Sequence, residues 1–196
     1  MTEKKSTKVI IPCRLSYANI WEGRPNDKGV IKYSTALLIP KDDDKTLAKI
    51  DRAIKAAISD GKSKLANTKG VVPKTIKLPL RDADEEGIDD PNYAGMMFLN
   101  ASGNRKPGIV DRHVEPILDP EEVYSGCYAN VSVNFYAFSV DGNKGIAAGL
   151  NNIQKVRDGE RLSGGSSAEE DFSPWMMGTT MTYSAEPVMR YEEISD

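Results

Sequence analysis

Gly126-Cys-Tyr-Ala-Asn-Val-Ser-Val-Asn-Phe-Tyr-Ala-Phe-Ser139 alternates without a break. Cys127, Ala129, Val131, Val133, Phe135 and Ala137 fall on one parity; Tyr128, Asn130, Ser132, Asn134, Tyr136 and Phe138 fall on the other. Side chains of a strand point to opposite faces in turn, so this pattern is a strand with one buried face. Asp141-Gly142-Asn143-Lys144-Gly145 follows, and an Asp-Gly step suits a tight hairpin turn. Residues 146–156 then return, which makes the pair a β-hairpin.

Working outward, residues 8–17 alternate in the same way. Val9, Ile11, Cys13, Leu15 and Tyr17 share one face, with Lys8, Arg14 and Ser16 on the other. Asn26-Asp27-Lys28-Gly29 turns the chain. Residues 30–39 form the next strand, with Ile31, Tyr33, Leu37 and Ile39 inward and Lys32 and Ser34 outward. Residues 74–81 and 94–101 read as two more strands. An acidic loop, Asp82 to Asp90, separates them, and the basic turn Ser102 to Gly108 follows.

One segment has helical periodicity. Leu47, Ile50, Ile54, Ala57 and Ile58 make a stripe over residues 43–60, an aspartate among 42–44 caps the start, and Gly61 stops it. Lys45, Lys49, Arg52 and Lys55 lie off the stripe, as a solvated face or as phosphate contacts. Short strands with one helix predict a mainly-β, OB-fold-like antiparallel barrel with one amphipathic helix. Residues 61–73 read as a loop, and Gly, Ser, Glu and Asp dominate from Asp158 onward. The predicted organisation is a barrel domain over residues 1–161 and a flexible acidic C-terminal tail over 162–196.

The 196 residues suit one domain plus an appendage. No apolar run reaches the ~20 residues that cross a bilayer, and the polar N-terminus lacks a signal-peptide core, so a cytoplasmic protein is expected. Cys13 and Cys127 sit in apolar alternating runs and read as buried thiols. His113 stands alone, without ligand-like spacing around it, and no metal or cofactor site is implied. The net charge of −3 argues at first against a nucleic-acid partner. The charge is uneven, however: residues 162–196 hold seven acids and one base, a net of −6, which leaves +3 on residues 1–161.

Two groups of residues have the chemistry of a single-strand groove, with cations for phosphates and rings for bases. The first is Arg14, Tyr17, Trp21, Lys28 and Lys32, across two adjacent strands and a connecting loop that holds Trp21. The second is the polar face of 126–139, where Tyr128, Asn134, Tyr136 and Phe138 either stack on bases or pack beneath a neighbouring element. Arg105 and Lys106 in the basic turn, and Lys144 and Lys155 on the returning strand, complete the candidate set. Catalysis finds no constellation: a single histidine, no P-loop and no Rossmann fingerprint.

The order of several short motifs is more specific. Arg14-Leu-Ser-Tyr17, Leu78-Pro-Leu-Arg-Asp82, Asp90-Pro-Asn-Tyr-Ala-Gly95, Phe98-Leu-Asn100, Arg105-Lys-Pro-Gly108, Asp119-Pro-Glu-Glu-Val-Tyr-Ser-Gly-Cys127, Val133-Asn-Phe-Tyr136, Asn143-Lys-Gly-Ile146 and Gly149-Leu-Asn-Asn-Ile-Gln-Lys155 occur in sequence, ahead of Ser166 to Phe172. In these the chain resembles a bacteriophage single-stranded-DNA-binding protein family once catalogued as a domain of unknown function. The resemblance implies an OB-fold that coats single-stranded DNA during phage replication, recombination or repair, without a catalysed reaction. On this reading the acidic tail competes with DNA and docks replication or recombination proteins through Phe172, Trp175 and Met176. Homo-oligomers stay open. The alternatives are a protein-only scaffold of the phage replication machinery and a metal-dependent nuclease using the 82–90 acids.

Overall fold

The computed structural model describes residues 6–162. β1 (Lys8–Pro25) and β2 (Ile31–Pro40) form a long hairpin. α1 (Asp44–Asp60) and the single turn α2 (Lys62–Leu65) follow. The remaining strands are β3 (Arg81–Asp82), β4 (Met96–Gly103), β5 (Gly108–Val110), β6 (Tyr128–Val140) and β7 (Asn143–Arg157). They pair in the order β3-β4-β2-β1-β6-β7-β5, and β4 also pairs with β7. That extra pairing closes β1, β2, β4, β7 and β6 into a five-stranded barrel, the OB architecture.

Four ladders of the barrel are antiparallel. The closing one is parallel, joining Ala101 to Ala148 and Ser102 to Gly149. The β6–β7 turn is the two residues Asp141 and Gly142, with φ of +49° and +78°. Positive φ at both positions is a type I′ turn, whose twist matches the flanking strands.

Alternation holds where one face meets the barrel interior. Ile11 and Leu15 of β1, Leu37 and Ile39 of β2, Leu99 of β4, Val131, Val133 and Phe135 of β6, and Ile153 of β7 are buried. A fully buried side chain of this size is worth about 1.5–3 kcal/mol. The predicted helix is α1, with Asp43 as its cap: the Asp43 carboxylate accepts the Thr46 N–H at 3.1 Å. Ile50, Ala53, Ile54 and Ala57 join the barrel core. Gly61, which ends α1, packs directly on Ala137, where a larger residue would collide.

Several expectations need correction. Residues 74–81 are not a strand: Lys77 makes one bridge to Gly145, and only Arg81–Asp82 pairs with β4. Pro73 and Pro79 lack the N–H donors a ladder needs. β1 runs on to Pro25, so Trp21 lies in a strand rather than a loop. Tyr17 does not share the buried face of Leu15, because the β1–β2 register shifts between Ser16 and Asn19. β2 is covered on both faces from Thr35 to Ile39. Its outward Leu38 packs with Ala83, Tyr93 and Phe98 under the 83–98 segment, while Ile31, expected inside, is exposed. α2 interrupts what read as loop. The acidic tail and its docking residues Phe172, Trp175 and Met176 lie outside the described residues.

Candidate nucleic-acid interface

A β-bulge builds the most exposed ring of the barrel face. Tyr17 has φ of +46° and is 69% exposed. A bulge frees backbone groups from the ladder, and they need other partners. Here the Ala18 N–H donates to Ser125 Oγ at 2.9 Å, and the buried Thr35 hydroxyl donates to the Ser16 carbonyl at 3.1 Å. Asn19 Nδ2 donates to the Tyr17 carbonyl, and the Tyr93 hydroxyl donates to Ser16 Oγ, both at 3.1 Å. Four side chains therefore hold one strained tyrosine out toward solvent.

Tyr17 stands over a groove that crosses the outer face of β1, β2, β4 and β7. Three adjoining depressions make it. The first is lined by Trp21, Glu22, Arg24, Lys106 and Asn19; the second by Asn19, Tyr17, Ser34, Ala36 and Asn100; the third by Asn100, Ser102, Ala147, Lys77 and Arg81. Shared Asn19 and Asn100 make the path continuous. The floor is small and polar because outward positions pair in rows: Asn19 with Ser34, Ser34 with Ser102, and Ser102 with Gly149. At the far bank Tyr136 is 45% exposed and leans over Gly149, where a Cβ would stand 3.5 Å from its ring.

Cations flank both ends. Lys106 Nζ is 5.1 Å from the centroid of the Trp21 ring, whose N–H donates to the Val123 carbonyl at 2.8 Å. Arg24 lies directly opposite Lys32 across the β1–β2 hairpin. Facing like charges destabilise a free sheet, and a bound phosphate relieves them. Arg105 is exposed on the same turn as Lys106. At the other end Arg81 stacks 4.4 Å over the Phe98 ring and pairs with Glu86 at 3.2 Å, an ion pair that stays open to solvent.

The other predicted residues do not line these three depressions. Arg14 Nε and Nη2 donate to the carbonyls of Gly126 and Glu160 at 3.1 and 2.9 Å. Tyr128 lies between Arg14 and Arg157, 5.7 and 3.5 Å from its centroid. Lys144 donates to the Ala66 carbonyl at 2.7 Å, and Lys155 pairs with Asp158 at 2.8 Å. That pairing, with the Tyr124 hydroxyl, holds the Asp158 carboxyl below its ordinary range. Asn134 accepts the Thr7 hydroxyl, and Phe138 sits half-buried opposite Gly145. Lys28 reaches Asp141 at 4.0 Å with both side chains exposed, a pair worth little.

Asn19, Ser34, Asn100, Ser102, Lys77, Arg81 and Arg24 were not anticipated. Outward Asn100 and Ser102, alternating with inward Leu99 and Ala101, were legible as a polar barrel face, but nothing in the sequence aligns four strands into one groove. The acids at 82–90 are partly spent. Lys41 Nζ is 2.6 Å from both Asp82 and Asp84, and these contacts lower both carboxyls and raise the lysine. Among the described residues, no three His, Cys, Asp or Glu side chains are grouped to hold a metal. Burial pushes both the Cys13 and Cys127 thiols up.

An OB barrel with an open groove of small polar floor, protruding rings and flanking cations is an oligonucleotide-binding domain in architecture. Comparison with known proteins makes the assignment narrower. The chain belongs to the Enterobacter phage Enc34 ssDNA-binding protein family, whose model matches residues 7–182. A protein of Acyrthosiphon pisum secondary endosymbiont phage 1, "Putative protein p50", is 32% identical over 172 residues, 84% of this chain and 91% of that one. The structure of the bacteriophage Enc34 single-stranded DNA-binding protein in complex with ssDNA superposes with a TM-score of 0.63 at 26% identity, covering 80% of this chain and 88% of that one. A C-terminal truncation of the same phage protein gives 0.65 at 26% identity, over 79% and 87%. The single-stranded DNA binding protein gp2.5 of bacteriophage T7 shares the fold, with a TM-score of 0.60 at 12% identity over 82% and 97%.

Proposed function

We propose that this protein binds single-stranded DNA across the β1–β2–β4–β7 groove, without sequence preference, and so coats and protects it during phage DNA replication, recombination or repair. The continuous groove carries the reading. Its rings, Trp21, Tyr17 and Tyr136, offer stacking, and every base has a face to stack. Arg24, Lys32, Arg105, Lys106, Lys77 and Arg81 meet phosphates, which carry no sequence information. Asn19, Ser34, Asn100 and Ser102 add hydrogen bonds that adapt to any base edge. The protein acts by binding alone, in the host cytoplasm.

Fluorescence anisotropy with labelled oligothymidine tests this. Saturable binding that weakens as salt rises is expected, because cations displace counterions from the strand. No binding at low salt overturns it and leaves the protein-only scaffold.

A further inference from the structure

The chain from Lys62 to Lys77 carries five lysines and no acid. Lys62, Lys64, Lys69, Lys74 and Lys77 are all exposed, and among the described residues none is in an ion pair. Lys41, Lys55 and Lys155, by contrast, each meet a carboxylate within 2.8 Å. A run of unpaired like charges repels itself, and an extended polyanion relieves that repulsion.

The segment is not a loose loop. Asn67 Oδ1 accepts the N–H groups of Lys69 and Val71 at 3.0 and 3.1 Å, and Gly70 turns with φ of +73°. Lys144 holds the Ala66 carbonyl at 2.7 Å, and Lys77 exchanges backbone hydrogen bonds with Lys144 and Ile146. Both ends are thus fixed to the start of β7, and little ordering is left for a ligand to impose.

Its two ends meet the groove. Lys77 lines the third depression with Asn100 and Ser102. Lys64 lines a separate hollow beside Tyr136, with Thr7, Asn134 and one carboxylate, Asp60. Tyr136 pairs with Ala147, a wall of the groove, so this hollow adjoins the groove's far bank.

Resting on the reading of the groove as the DNA site, we infer that the 62–77 connector is a phosphate track that carries a long single strand out of the groove, past Tyr136. The groove alone holds a short strand; a longer one gains contacts from Lys62, Lys64, Lys69 and Lys74. These contacts are electrostatic and act in the salt dependence of long oligonucleotides only.

The test titrates oligothymidines of about 8 and about 30 nucleotides, within and beyond the span of one OB groove, over a range of salt. Lys62, Lys64, Lys69 and Lys74 are changed to Gln together, and in a second variant only Lys62 and Lys64 are changed. All four are exposed, and circular dichroism verifies the fold. A control, Lys45→Gln with Lys49→Gln and Arg52→Gln, removes charge from α1, whose cations line neither the groove nor the hollow beside Tyr136. For the four-site variant, affinity for the long strand falls tenfold or more, and the salt slope becomes shallower by roughly 0.7 per lost phosphate contact. The short strand binds as before and the control changes little. An unchanged slope with the long strand overturns the track, as does equal weakening of both lengths or an equal effect from the control. Absence of binding by the unaltered protein at either length is a different result and refutes the groove itself.

Discussion

Two regions of the barrel contain the same kinds of residue and put them to opposite uses. At one end of β6, Tyr128 lies against Arg14 and Arg157, and Arg14 is further bound to two carbonyls. At the other end, Tyr136 is half-exposed over Gly149 and faces the groove with Tyr17. The two tyrosines share a strand and a face, eight residues or roughly 26 Å apart. Aromatic rings interleaved with cations are thus open to a ligand where those cations are not already held by the protein's own groups: Lys106 over Trp21 has no carboxylate partner among the described residues, whereas Arg14 at Tyr128 is held by two carbonyls. At Tyr128 the protein has satisfied its own groups, and that end anchors the chain as it leaves β7.

The largest expected effect separates the regions outright. Tyr17→Ala with Tyr136→Ala removes two rings from the groove, at about 1–3 kcal/mol per stacked base. Oligothymidine affinity falls thirtyfold or more in anisotropy titrations, while the melting temperature changes little. Equal affinity would move the site off this face. Tyr128→Ala has the complementary signature: stability falls by about 1–2 kcal/mol as two cation–π contacts go, and urea melts report it, while the folded fraction binds DNA normally. A loss of affinity without loss of stability there would erase the contrast.

Charge gives smaller effects. Removing residues 162–196 takes away a net of −6, and severalfold tighter binding at low salt is expected, vanishing at high salt. Weaker binding would mean that the tail adds to the groove. The smallest effect is on pH. Asp82 and Asp84 are held low by Lys41, so their contribution to stability is present above the ordinary carboxylate range near pH 4 and is lost as pH falls through their lowered values. Lys41→Met should flatten the acid limb of the stability–pH curve, measured by thermal melts, with DNA affinity at neutral pH unchanged.

What the sequence carried was local periodicity. The 126–139 alternation, the Asp-Gly turn and the α1 stripe each follow from one segment's contact with one core, and each was legible. Tyr17 was not: its parity places it inside, and only the register shift against β2, sustained by Ser125, Thr35 and Tyr93 from far along the chain, turns it out. The same holds for Leu38, whose outward face is covered by a segment about fifty residues later. Among the candidate site residues, Tyr17, Trp21, Tyr136 and Lys106 reach the groove, whereas Arg14, Tyr128, Lys144 and Lys155 are taken by partners visible only in three dimensions. Residue type shows what a side chain is able to do; the remaining contacts decide whether it is free to do it.

The parallel contact between β4 and β7 is the shortest ladder of the barrel, two residue pairs, and one of them, Ser102 with Gly149, lies on the groove floor. The proposed binding surface is therefore also the seam. A strand lying across it would rivet the two edges that would part first if the barrel opened, and occupancy and barrel integrity would then be coupled in both directions. Coating would then harden each molecule along its weakest joint, and the amides on either side of that joint, at 101–102 and 148–149, would exchange with solvent more slowly once DNA is in place.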